Sequence, residues 1–284
     1  MNKIYVFCNG GFGNRFYSLL TGLYVAYRVG RDPTVIWPVN NWCGAAFDQI
    51  FHSPVQFDQD IDYQTLINSK QTVNVLHNNF FDPGISWIPA IHTPIDAIVH
   101  YIGSTDLDAV IGTDSLPPYV EPSVIKFGLM PLLEFQQDIV DRADQIKKHQ
   151  AKNQVFYGLH LRKTDAYQYA NEHRLFNIVD NNPEQLFFVC SDDAATEQEF
   201  NRRSNVFIHD KDSYVEKLVN GNWRTEIVDD NGNRFPFNVN RSCDSVRQAM
   251  VDLLLLSHSD LQYNESNLSS FLTVAQLLQS TYDK

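Results

Sequence analysis

His160 and Arg162 stand two residues apart in His160-Leu161-Arg162-Lys163-Thr164-Asp165, directly after the β-forming run Val155-Phe156-Tyr157-Gly158-Leu159. Residues two apart on an extended chain project to the same side. Arginine's planar fork matches a phosphate bidentately and keeps its charge at any relevant pH. The carboxyl end of a strand is also where open α/β sheets bind ligands. These residue types at this spacing suit a pyrophosphate-bearing substrate. A strand-end arginine in a surface ion pair, with His160 as a satisfied polar neighbour, accounts for the same pattern.

A second chemical feature lies near the amino terminus. Residues 3–8 read as a buried strand, and Asn9-Gly10-Gly11-Phe12-Gly13-Asn14-Arg15 follows at once. A helix is then predicted over 14–29, with Phe16, Leu19, Leu20, Leu23, Ala26 and Tyr27 on one face and Gly30 where a cap would stand. Glycines in a strand-to-helix turn let a ligand approach the backbone, and the N–H groups of the helix start attract anions. The spacing is not the dinucleotide G-x-G-x-x-G, because Phe16 occupies the place of the third glycine. Such a turn also serves simply to reverse the chain.

The elements that must position these residues alternate between strand and helix, which argues for largely parallel sheets. We read an N-terminal domain over 1–150 and a C-terminal domain over 151–284. Seven of the twelve prolines fall between Pro83 and Pro131, so loops and short elements are expected there. Pro131 is expected to open a helix carrying Leu132, Phe135, Ile139, Ala143 and Ile146, which leads into the domain link. The second half shows strands at 155–159, 186–190 and 206–208, a helix from about Asp244, a strand near 260–263 and a final helix. Between Lys211 and Arg241 lies a polar insertion with two Asn-Gly turns, and residues 226–237 read as a hairpin.

Composition narrows the functional classes. The 284 residues carry 34 acidic and 22 basic side chains, a net charge of −12, and 43% are hydrophobic. That balance argues against a nucleic-acid or anionic-membrane surface, though a local basic pocket is compatible with it. Cys8, Cys43, Cys190 and Cys243 form no C-x-x-C pair, so zinc is not expected. Cys8 and Cys190 both close strands, as reduced core thiols would in a reducing compartment. Residues 1–30 hold no continuous apolar signal region, and the Leu253 to Leu256 run is too short to span a bilayer. A cytoplasmic protein with no integral membrane segment is expected.

Three further clusters complete the inventory. Ser191-Asp192-Asp193 ends the strand Leu186-Phe187-Phe188-Val189-Cys190; no third carboxylate accompanies the pair as a hard cation would need, and Ser191 or Asp192 could equally cap the next helix. A helix from Asp244 carries Arg247 and Asp252, five apart and hence not on one ideal face. Ser269 or Ser270 is an N-cap candidate for the last helix, where hydroxyls and N–H groups make a ready phosphate site.

Taken together, the clusters are similar to a known family. Gly11-Phe12-Gly13-Asn14-Arg15, its aromatic-rich helix and Arg31 resemble the entry motif of the protein O-fucosyltransferases. His160 to Asp165 resembles the H-x-R-x-T-D segment of the core α1,6-fucosyltransferases and rhizobial nodulation fucosyltransferases. Residues 187–193 resemble their strand ending in a Ser/Thr-Asp-Asp turn, residues 244–259 their S-x-R-x-x-x-x-D-x-x-x-L-S helix, and Ser269-Ser270-Phe271 their phosphate turn. Order and spacing match from residue 3 to 275, apart from the proline-rich middle and the 211–241 insertion.

The resemblance implies a GT-B architecture, two Rossmann-like domains facing across a cleft, with the nucleotide-sugar held by the second and the acceptor in the cleft. It implies an inverting, metal-independent transfer of fucose from GDP-fucose, the donor substrate, to a glycan or glycoconjugate hydroxyl, with no cofactor. It implies that Arg162 holds the diphosphate and stabilises departing GDP, and that His160 contacts the nucleotide. Ser269 or Ser270 would bind the β-phosphate, Asp252 would pair with guanine, and Asp192 would lie near the nucleoside. Gly11, Gly13 and Asn14 would approach the phosphate or fucose from the first domain. The core α1,6 enzymes continue their segment with a Lys and then a Glu proposed as base. Here Ala166 replaces that Lys and Glu172 lies two residues beyond the Glu position, so Asp165 and Glu172 are the base candidates, beside leaving-group stabilisation alone. Transfer from another nucleotide-sugar and non-catalytic GDP-sugar binding are the alternatives; a Rossmann oxidoreductase lacks support because the third glycine and the ribose-binding acid are missing.

Overall fold

A computed structural model describes residues 2–69, 72–76, 88–89, 93–113, 129–152, 154–164, 172–228, 234–235, 237–264 and 269–282. Most of the proline-rich stretch lies outside the described residues. Two compact units divide the chain: residues 1–39 with 46–134, and residues 40–45 with 135–284.

The first unit is built on a parallel sheet of six strands: β1 (Ile4–Phe7), β2 (Pro33–Ile36), β3 (Gln56–Asp58), β4 (Thr72–Leu76), β5 (Ile88–Pro89) and β6 (Asp108–Gly112). Their order is β3-β2-β1-β6-β4-β5, so the winding reverses beside β1. Helix α1 (Phe12–Val29) leaves β1 through the glycine turn. It lies close on the sheet because Gly22 faces Val6; a Cβ on Gly22 would sit 2.4 Å from the valine methyls. Gly30 ends α1 in the left-handed region at φ +66° and donates to the Ala26 and Tyr27 carbonyls, which satisfies two orphan acceptors as expected. Helix α2 (Ile95–Gly103) buries Ile95, Ile98 and Ile102. Arg31 donates to the Ile102 and Leu107 carbonyls at 2.9 and 2.8 Å, so it ties this unit together.

The second unit begins with helix α3 (Gln137–Ile146). The helix expected from Pro131 therefore starts later. Met130–Leu132 form only a 3-10 turn with the proline in its first positions, and Leu133 leaves helical space at φ −131° and ψ 55°. Ile139, Ala143 and Ile146 are buried as expected, whereas Leu132 and Phe135 precede the helix. Because that apolar face packs within the second unit, the division falls at 134/135 instead of the 150/151 read from the polar link.

Strands β7 (Phe156–Leu161), β8 (Leu186–Ser191) and β9 (Val206–Ile208) follow, with α4 (Glu172–Asp180) and α5 (Ala194–Phe200) between them. The hairpin read at 226–237 appears as β10 (Ile227–Val228) paired antiparallel with β11 (Arg234–Phe235). Then come α6 (Cys243–Ser257), β12 (Gln262–Asn264) and α7 (Ser270–Tyr282). The main sheet is parallel, in the order β9-β8-β7-β12.

One face of that sheet presents Leu159, Leu161, Phe187, Val189, Val206 and Ile208 to Leu175, Val179 and Phe200 of α4 and α5. Burial of side chains this size contributes roughly 1.5–3 kcal/mol each. The other face carries Phe156, Phe188 and Phe207 in mutual ring contact. Helix α6 packs there, and Gly158 makes room for it: an added Cβ would lie 2.8 Å from Leu256 Cδ2.

Residues 40–45 join the second unit from far away in sequence. Gly44 donates to the Arg241 carbonyl at 2.7 Å, Arg241 donates to the Asn41 carbonyl at 3.0 Å, and Trp42 meets Phe237 edge-on at 5.6 Å. All four cysteines are thiols, and Cys8, Cys43 and Cys190 are buried. Among the described residues, no helix is long and apolar enough to cross a membrane.

Candidate functional site

In the second sheet the winding reverses between β7 and β12, since β8 and β9 extend one way from β7 and β12 lies on its other side. Ligands of open α/β sheets bind outside the carboxyl ends of strands at such a point. Strand β7 ends there in His160-Leu161, with Arg162 next, and β12 leads toward Ser269 and α7.

His160 is 8% exposed and its ring stacks on Phe271, centroids 5.1 Å apart. Its Nδ1 lies 3.2 Å from Ser269 Oγ. That hydroxyl oxygen also accepts from Leu272 N–H at 3.2 Å, so Ser269 is the N-cap of α7. Burial, and after it the nearby Arg162 guanidinium, push the His160 pKa down to about 3. His160 is therefore neutral at the switch point of the sheet. Arg162 is half-buried beside it, and Ser270 opens α7.

The loop carrying Arg162 is clasped from β8. Asp192 Oδ1 accepts from Lys163 N–H at 2.6 Å, and Oδ2 accepts from Thr164 Oγ1–H at 2.5 Å. Asp193, not Ser191 or Asp192, caps α5: its Oδ2 accepts from Thr196 N–H at 2.8 Å and from Thr196 Oγ1–H at 2.7 Å. Asp192 thus ties the end of β8 to the loop that follows β7. Glu172 opens α4 and pairs with Lys163. Asp165 lies outside the described residues. Among the described residues, no group of three or more His, Cys, Asp or Glu side chains could hold a metal.

Asp252 of α6 is 4% exposed and doubly paired. Its Oδ1 lies 3.0 Å from His209 Nδ1 and its Oδ2 accepts from Lys211 Nζ at 2.7 Å. Burial works against its charge, but Lys211 and His209 outweigh it and hold the carboxyl below its usual range. Lys211 also donates to the Ser191 carbonyl at 2.8 Å and pairs with Glu197. Burial disfavours its charge, yet Asp252 and Glu197 raise its pKa above that of an ordinary lysine. Glu197 is fully buried and accepts from Ser191 N–H at 2.7 Å and Tyr214 O–H at 2.6 Å. Burial dominates there and pushes its carboxyl up to about 7. Sequence reasoning singled out Asp252 but missed Glu197, His209, Lys211 and Tyr214. The signal for His209 was present, since it follows a predicted strand as His160's segment does.

In the first unit, the turn after β1 is held from within. Gly10 has φ +81°, where glycine is favoured, and Asn14 packs over it. Arg15 is fully buried, donates to the Gly10 carbonyl at 2.8 Å and the Pro38 carbonyl at 2.7 Å, and lies over the Trp37 ring. Gly11 precedes α1 with no side-chain cap, and a Cβ there would meet nothing within 4 Å. Gly13 is buried in the first turn of α1.

Solved structures share this fold. A NodZ alpha-1,6-fucosyltransferase co-crystallised with GDP aligns at TM-score 0.60 and 15% identity, over 98% of this chain and 92% of that one. Fucosyltransferase NodZ from Bradyrhizobium aligns at 0.58 and 15% identity, over 98% and 93% of the two chains. POFUT1 in complex with GDP aligns at 0.54 and 12% identity, over 100% and 96%. No protein-family model and no curated protein matches the chain. At such identities the likeness establishes the fold, and the chemistry must be argued from the residues.

Proposed function

We propose that this protein is a fucosyltransferase that moves fucose from GDP-fucose to a glycan or glycoconjugate hydroxyl, with inversion and without a metal ion. One observation supports the reading most: the switch point of the second sheet carries Arg162, the neutral His160 and the start of α7 capped by Ser269. Phosphate oxygens are the natural partners of that set. The fold adds weight, because it is shared with enzymes whose structures hold GDP or were soaked with GDP-fucose.

In the proposed reaction the acceptor oxygen attacks fucose C1 from the face opposite the nucleotide. The bond from C1 to the β-phosphate oxygen breaks, and its electron pair leaves with GDP. Arg162 stabilises that growing negative charge, a contribution that is largest in the transition state. His160 contacts the nucleotide, and Asp192 keeps the Arg162 loop in register through Lys163 and Thr164. For the acceptor proton, Asp165 is the stronger candidate, because Glu172 is engaged by Lys163. Ser269 Oγ is engaged by His160 and Leu272, and the first N–H groups of α7 are assigned the β-phosphate. A cytoplasmic setting belongs to the same reading.

Release of nucleoside diphosphate from a panel of nucleotide-sugars, in EDTA, tests it. GDP-fucose should be consumed fastest, and a glycan array with that donor should then gain label. Consumption of a different donor, or none without Mg²⁺ or Mn²⁺, refutes it.

A further inference from the structure

Ser191 closes β8 where β9 has already ended. Phe187 donates to the Asn205 carbonyl at 2.9 Å, and Val189 pairs with Ile208, the last residue of β9. Residues two apart on a strand turn the same way, so the main-chain groups of Ser191 also face the β9 side, one step beyond its end. Buried N–H and C=O groups need partners. Two side chains supply them: Glu197 Oε1 accepts from Ser191 N–H at 2.7 Å, and Lys211 Nζ donates to the Ser191 carbonyl at 2.8 Å. Helix α5 and the segment after β9 thus continue the ladder with charged groups.

Charge balance does not require this arrangement. Asp252 alone would match the charge on Lys211, with which it pairs at 2.7 Å. A second buried carboxylate at the same ammonium is electrostatically costly, and burial accordingly pushes Glu197 up to about 7. What Glu197 adds is reach. Its Oε1 meets both Ser191 N–H and Lys211, and its Oε2 accepts from Tyr214 O–H at 2.6 Å. The residue after Ser191 is Asp192, whose carboxylate holds Lys163 N–H and Thr164 Oγ1–H just beyond Arg162. Hydrogen bonds and one peptide link therefore join Glu197 and Lys211 to that loop.

We infer that Glu197 and Lys211 are positioning residues for Arg162: by fixing both main-chain groups of Ser191 they hold Asp192, which sets the loop that presents the guanidinium. They act through Asp192 and not on the substrate. The effect on turnover rests on the transferase reading above, whereas the linkage to the loop stands on the hydrogen bonds alone.

Two variants separate reach from charge. Glu197→Asp keeps the charge but draws the carboxylate back by one methylene, and Glu197→Gln keeps the reach but loses the charge. Hydrogen exchange at the Ser191 and Lys163 amides, on variants shown to be folded by thermal melting, reads the linkage without turnover. Exchange at both amides should quicken about three- to tenfold in Glu197→Asp, the scale of one lost hydrogen bond, and change less in Glu197→Gln. With GDP-fucose, kcat should fall by a similar factor in Glu197→Asp while the donor KM changes less, since Arg162 acts most strongly as the leaving group departs. In an Asp192→Ala background the same substitution should lower kcat no further, because it acts through that carboxylate. Unchanged exchange at Lys163, or an equal loss of kcat with and without Asp192, overturns the inference. A larger effect from Glu197→Gln than from Glu197→Asp also overturns it, in favour of simple charge balance. Failure of wild type to consume GDP-fucose would instead refute the transferase reading, and the exchange rates would still decide the linkage.

Discussion

Arg162 and His160 do different work although they are neighbours. Arg162 meets charge that grows only as the nucleotide departs, so Arg162→Ala should lower kcat about a hundredfold or more while leaving the fold intact, the range seen for loss of one oxyanion-type donor. Arg162→Lys should restore little, because the bidentate fork is lost. Steady-state kinetics on folded variants check both. His160 is kept neutral by burial, with a folded pKa of about 3 against an ordinary value near 6.5. Above pH 6.5 neither folded nor unfolded chain is charged at that ring. As pH falls below 6.5 the unfolded chain takes up a proton that the folded chain refuses, so stability is lost by up to about 1.4 kcal/mol per pH unit from this site. Urea titrations at pH 7 and pH 5 on wild type and His160→Phe should show the wild type losing ground to the variant on acidification.

Gly158 and Lys211 show how the elements around the site depend on single atoms. Helix α6 can lie on β7 only because Gly158 has no side chain; the methyl of Gly158→Ala would meet Leu256 Cδ2 and Ser259 Oγ at 2.8 Å each. The variant should be destabilised by about 1–3 kcal/mol, as overpacked cores are, read from the urea midpoint. Lys211 joins the end of β8, helix α5 and helix α6 through Ser191, Glu197 and Asp252. Lys211→Met would leave two buried carboxylates facing each other, a loss of about 3–5 kcal/mol when one partner of a buried pair is removed. Glu197 already titrates near 7, so protonation relieves the variant on acidification. Its stability deficit should therefore be larger at pH 8 than at pH 6. An equal deficit at both would contradict the coupling.

Ligand binding should register on the protein as a whole. Anything that binds the folded chain and not the unfolded one raises stability by RT ln(1 + [L]/Kd), about 2.7 kcal/mol at a hundredfold excess over Kd. GDP should raise the melting temperature, and EDTA should not abolish the rise, because the diphosphate partners proposed here are Arg162, His160 and the start of α7. Loss of the GDP shift on chelation, restored by Mg²⁺ or Mn²⁺, would instead point to a metal bridge.

Alternation of strands and helices, the glycine turn after β1, the cap at Gly30 and the segment from His160 to Arg162 were all legible in the amino-acid order. Each rests on local chemistry: side-chain period, backbone freedom or a residue type at a strand end. The short strand at Val206–Ile208 was legible too, yet the meaning of His209 beside it was not, because its partner Asp252 arrives from another helix 43 residues away. Lys211 marked only the edge of a polar insertion in the sequence, and only packing shows that it pairs with Asp252 in the interior. The start of α3 was misplaced because apolar spacing continues through Leu132 and Phe135, while the backbone breaks at Leu133. Nor could any local pattern assign residues 40–45 to the second unit, since hydrogen bonds to residues near 241 hold them there. Periodicity and propensity act between near neighbours along the chain. Which buried charges meet depends on burial and register between segments far apart in sequence, and those exist only once the sheet has assembled.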